Sequence, residues 1–187
     1  MLFRSIGVSK IAVVGHGLGA VIAILYTLCY QESIDRLIAV NLPNNTSEIK
    51  ARLLTSSTIE FIQWLSGLYA HESLNTTEVS KTDPTAIHIS FSNLVKLNLS
   101  NYTQTIVHPC LFIHGQGDSP LEDNSNNRSF QRLSENSQHL IFEQSGHYPM
   151  LDEANKFQRL VIDFLGIQSM ASIQQLQIKE EWKRRVR

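Results

Sequence analysis

The sequence predicts an α/β fold: a parallel sheet with helices on both faces, interrupted by a long helical insertion. Three observations carry this. Four short apolar runs, at 11–14, 37–40, 110–114 and 139–142, lack clean in–out alternation, as strands do when helices cover both faces of a parallel sheet. Helical patterns lie between those runs, which favours a doubly wound arrangement. The chain has 187 residues, 42% of them apolar, enough for one domain with a full core.

The first run leads into Ile11-Ala12-Val13-Val14-Gly15-His16-Gly17-Leu18-Gly19-Ala20, which reads as a buried strand, a sharp glycine turn and the start of a helix over 18–30. Residues 11–30 contain no Asp, Glu, Lys or Arg. The glycines punctuate that stretch where a strand would end, so a strand plus a buried helix describes it better than a membrane span. After the second strand, residues 42–107 break the rhythm, with helices expected around 47–71 and 84–97. Thr82 or Asp83 would cap the second of these, with Pro84 in its first position. Farther on, a helix is expected over 124–135. Another is expected over 152–165, where Ala154, Phe157, Leu160, Val161, Phe164 and Leu165 fall close to a 3.6 period. The chain thus divides into a domain over 1–166, with a lid insertion at about 42–107, and a basic amphipathic helix over 167–187.

The formal net charge of −1 leaves no electrostatic footprint for nucleic acid. Two cysteines, Cys29 and Cys110, read as core thiols and make neither a disulfide framework nor a metal site. No cofactor or metal is expected, and a reducing, cytoplasmic setting fits.

Three segments carry chemistry-bearing residues at strand ends, where open α/β sheets place their sites. The first is the turn at Gly17. The second is the run from Pro109 to Asp118, a buried strand whose end delivers a carboxylate through a glycine-containing loop. The third is Ser145-Gly146-His147-Tyr148-Pro149-Met150-Leu151-Asp152-Glu153, a loop that presents a histidine between a strand and an amphipathic helix.

In that order the three segments resemble the α/β-hydrolase family of esterases, lipases and lactonases. The turn resembles the G-x-S-x-G nucleophile elbow, with Gly17 at the serine position. Gly115 and Asp118 match the family's acid strand, and Gly146, His147, Pro149, Phe157, Phe164 and Leu165 match its histidine segment. The resemblance implies ester or acyl hydrolysis through a Ser-Asp-His triad on a small ester-like substrate. It implies that His147 is the general base, that Asp118 orients the imidazole, and that the Leu18 backbone N–H forms half of an oxyanion hole. His16 is expected to pack and bond loops rather than to catalyse. With Gly17 lacking a side chain, no acyl-enzyme can form there. Ser5, Ser9 and Cys29 are not placed to substitute.

The resemblance covers about residues 5–166. It implies that the family's first strands and its H-G oxyanion loop are absent. The strand at 11–14 would then be an unpaired edge through which association could occur. Two other functions stay open. A non-catalytic relative used for binding would also tolerate glycine at the elbow, as the N-myc downstream-regulated family does. Gly15, Gly17 and Ala20 also satisfy the G-x-G-x-x-[GA] fingerprint of a dinucleotide-binding domain, but the next strand ends in Asn41 instead of an acidic residue.

Overall fold

A computed structural model describes residues 7–43, 46–68, 83–118, 133–168 and 170–179. Four strands, β1 (Ile11–His16), β2 (Ile34–Val40), β3 (Cys110–Gly115) and β4 (Ser137–Phe142), form one parallel sheet in the order β1-β2-β3-β4. This is the partial α/β-hydrolase sheet that the motifs led us to expect. Val13 pairs with Leu37 in the β1–β2 register, and Leu37 with Cys110 in the β2–β3 register, so these three side chains point to one face.

On that face lies helix α1 (Leu18–Cys29). Its Ala20, Val21, Ala23 and Ile24 share a core with Leu37, Ala39, Cys110 and Phe112. The insertion adds α2 (Thr46–Thr55), α3 (Thr58–Leu68), α4 (Pro84–Leu94) and α5 (Leu99–Thr105). Their Ile49, Phe61, Phe91, Leu94 and Leu99 enter the same core. On the opposite face, Ile38, Val40, Leu111, Ile113 and Phe142 pack against α7 (Ala154–Leu165) through Leu160 and Phe164. Arg36 fixes this helix from β2. Its guanidinium Nη1 donates to the carbonyls of Phe164 at 2.7 Å and Leu165 at 2.9 Å, among the last carbonyls of the helix, which lack a full set of intrahelical partners.

Several boundaries differ from those expected, each for a local reason. The helix expected over 47–71 is two helices. Ser57 and Glu60 form a reciprocal capping box that starts a new one: the Glu60 carboxylate accepts from the Ser57 N–H and hydroxyl at 2.8 Å each. The helix expected over 152–165 is also divided. A short turn, α6 (Pro149–Asp152), precedes α7, and Glu153 at φ −125° interrupts the helical path between them. Asp83, not Thr82, caps α4, accepting from the Thr85 N–H at 2.8 Å. The helix expected over 124–135 falls largely outside the described residues, and Leu133–Glu135 within it is not helical.

The basic amphipathic helix expected over 167–187 is corrected where it is described. Met170–Gln175 is a 3₁₀ helix, and 176–179 is not in a helix. Its apolar residues Leu176 and Ile178 pack on the α7 side of the sheet without needing helical periodicity. Cys29 is also corrected, since it is exposed at the end of α1 while Cys110 is buried. No described helix is long and apolar enough to cross a membrane.

Candidate active site

The ends of β1, β2, β3 and β4 converge at one end of the sheet. At the end of β1 the chain turns sharply through Gly17, at φ 55° and ψ −123°, where a non-glycine residue would be strained. The Gly17 N–H donates to the Val40 carbonyl at 2.9 Å, which ties the turn to β2. Gly15 is required by contact. A Cβ there would collide with the Gly19 carbonyl as α1 folds back over the strand.

β3 ends in Gly115, and three residues later the chain presents Asp118. A Cβ on Gly115 would collide with the carbonyl of Gly146, so the acid turn and the histidine loop meet backbone to backbone. The histidine loop is held from its C-terminal side. The Asp152 carboxylate accepts from the Gly146 N–H at 2.9 Å, and Glu153 accepts from the Ser145 hydroxyl at 2.7 Å. Burial pushes the Glu153 carboxyl up, but bonds from Lys156, Ser145 and Gln144 outweigh it and hold the group below its ordinary range.

The three sequence segments come together here. His147 Nδ1 donates to Asp118 Oδ1 at 2.9 Å and Oδ2 at 3.0 Å, and only 2% of the Asp118 side chain is exposed. In the neutral ring this leaves the Nε2 lone pair on the edge that faces the turn. A Cβ built on Gly17 would lie 3.4 Å from His147 Nε2. Position 17, the histidine and the carboxylate therefore stand in line. Leu18 is the first residue of α1, so its N–H belongs to the helix end, where no intrahelical acceptor exists.

His16 Nε2 donates to the His147 carbonyl at 2.7 Å, and the two rings lie 4.5 Å apart. Burial lowers the His16 pKa, so the ring is neutral at physiological pH, suited to holding the loop. Sequence reading missed Asn41. It sits just past β2 at φ 46°, is 1% exposed, and bonds both the histidine loop and the acid strand. The only hint in the sequence was an Asn at a strand end, a residue that tolerates the left-handed region.

A second histidine pair lies beneath the site. His114 Nδ1 and His139 Nε2 are 2.9 Å apart, and His114 also faces the Leu42 carbonyl. Burial pushes their pKa values down to about 4 and about 3. The geometry disfavours the dinucleotide fingerprint. The His147 ring occupies the space in front of Gly17 where a pyrophosphate would approach the backbone, and the Asn41 carboxamide is used within the protein. Among the described residues no group of three His, Cys, Asp or Glu side chains could hold a metal ion.

No protein-family model matches the chain. It is 22% identical, over 192 residues, to a 2-hydroxy-6-oxononadienedioate/2-hydroxy-6-oxononatrienedioate hydrolase of Dechloromonas aromatica. That match covers 88% of this chain, which spans 65% of the relative's length. Among solved structures, it is similar to the meta-cleavage product hydrolase CumD from Pseudomonas fluorescens, with a TM-score of 0.60 and 23% identity over 88% of this chain and 67% of the other. It is also similar to an esterase, EaEST, from Exiguobacterium antarcticum, with a TM-score of 0.70 and 17% identity over 89% of this chain and 70% of the other.

Proposed function

On the premise that the chain has the α/β-hydrolase fold, we propose that it carries the acid–base half of an ester-cleaving site without the covalent nucleophile. In this reading His147 is the general base, oriented by Asp118. It would take a proton from an attacking hydroxyl and return it to the leaving group. The Leu18 N–H contributes to stabilising the oxyanion. Position 17 is where the attacking hydroxyl of a serine would stand. The substrate class is a small ester or related acyl compound.

The observation that carries this reading is the His147–Asp118 bond facing a residue with no side chain. Glycine at position 17 excludes an acyl-enzyme. Loss of the nucleophile in a comparable serine enzyme lowers turnover by about six orders of magnitude. The chain as encoded therefore carries out no serine-type turnover. The same glycine favours a second reading, in which the site binds an acyl or carboxylate compound without cleaving it.

Fluorophosphonate labelling and short-ester hydrolysis test the proposal in the unmodified chain, Gly17→Ser, and Gly17→Ser combined with His147→Ala. We expect no label on the unmodified chain, slow labelling of Gly17→Ser, and loss of that labelling in the double variant. Ester turnover by the unmodified chain that His147→Ala abolishes would overturn it. So would labelling of Gly17→Ser that does not depend on His147.

A further inference from the structure

We infer that Asn41 is the positioning residue that sets His147 against Asp118, a role that rests on the acid–base reading above. Its carboxamide bonds both halves of the pair at once. Nδ2 donates to the His147 carbonyl at 2.7 Å and to the Gly146 carbonyl at 3.2 Å. Oδ1 accepts from the Gly115 N–H at 3.0 Å. Gly115 in turn begins the turn that delivers the acid, because its carbonyl accepts from the Asp118 N–H at 3.1 Å. One rigid planar group thus spans from the base of the acid turn to the backbone of the histidine.

The backbone of Asn41 is fixed as firmly. Its N–H donates to the Ile113 carbonyl at 2.8 Å, which locks it to β3. Its φ of 46° lies in the left-handed region, which Asn adopts at low cost. The residue is 1% exposed, so water cannot stand in for the bonds its side chain makes. His16 bonds the His147 carbonyl from the elbow side. Asn41 is therefore a side chain that ties the acid turn directly to the histidine loop.

This chemistry makes two variants informative. Asn41→Gly suits the positive φ and removes all three side-chain bonds without backbone strain. Asn41→Asp is isosteric and keeps the acceptor for the Gly115 N–H. It places a carboxylate oxygen against two carbonyls where the amide had donated.

The test is histidine NMR on the full chain, which requires no turnover. In the unmodified protein we expect the His147 Nδ1 proton to be shifted downfield and to exchange slowly with solvent. In both variants we expect that proton to exchange at least tenfold faster and the imidazole titration midpoint of His147 to move, while the sheet amides keep their shifts. His16→Phe, which removes only the elbow-side bond, should leave the Nδ1 proton slow to exchange. An unchanged His147 proton and titration in either folded variant overturns the inference. Failure of both variants to fold also overturns it, because Asn41 would then be a folding residue. Failure of the hydrolase reading shows up separately, as absent labelling of Gly17→Ser with the His147 signals intact.

Discussion

Gly15 and Gly19 lie four residues apart in one turn and have opposite requirements. A Cβ at Gly15 meets the Gly19 carbonyl and the Ala20 Cα, both backbone atoms that cannot move aside. A Cβ at Gly19 meets nothing within 4 Å, and the residue sits inside α1. We therefore expect Gly15→Ala to destabilise the protein by about 2 kcal/mol or more. Gly19→Ala should stabilise it by roughly 0.5–1 kcal/mol. Urea denaturation of the two variants measures both. At this scale the sequence was informative where a motif fixes the spacing: Gly17, Asp118 and His147 stand within reach of one another as their segments suggested. Asn41 was not legible, because its role depends on two loops that lie more than a hundred and more than seventy residues downstream.

Elements were legible where an apolar period or run was long, and less so where a side chain interrupts one. The Ser57-Thr58-Ile59-Glu60 box was present in the sequence, but the surrounding helical pattern concealed the break between α2 and α3. Glu153 breaks the helix before α7 because its carboxylate serves the histidine loop, a tertiary demand that no local pattern records. The tail around Ile173 is held by burial on the sheet rather than by helical periodicity. Asp83 allows a clean test of a cap inside the insertion. Asp83→Ala removes the acceptor for the Thr85 N–H and should cost about 1 kcal/mol, measured as a lowered urea midpoint with an unchanged slope. If stability does not change, the insertion unfolds separately from the sheet.

For the whole molecule, the buried histidine pair makes stability depend on acid. His114 and His139 are neutral in the fold, with pKa values lowered to about 4 and about 3, against about 6.5 in the unfolded chain. Between those values the unfolded chain binds more protons, so stability falls as pH drops from about 6.5 toward 4 and below. Each ring contributes a slope of up to about 1.4 kcal/mol per pH unit. His114→Gln combined with His139→Asn should flatten the loss between pH 6.5 and 4.5, read from urea midpoints against the unmodified chain. Sheet order was legible from the rhythm of strands and helices. The edge at β1, where Val14 is 58% exposed, follows from that order among the described strands. The bonds that assemble the site also differ in the length of chain they close. His147 reaches Asp118 across 29 residues, Asn41 across 106 and His16 across 131. Closing the longest of these loops costs about 1.3 kcal/mol more entropy than closing the shortest. By this measure the histidine and its carboxylate can meet before His16 ties the histidine loop to the elbow side.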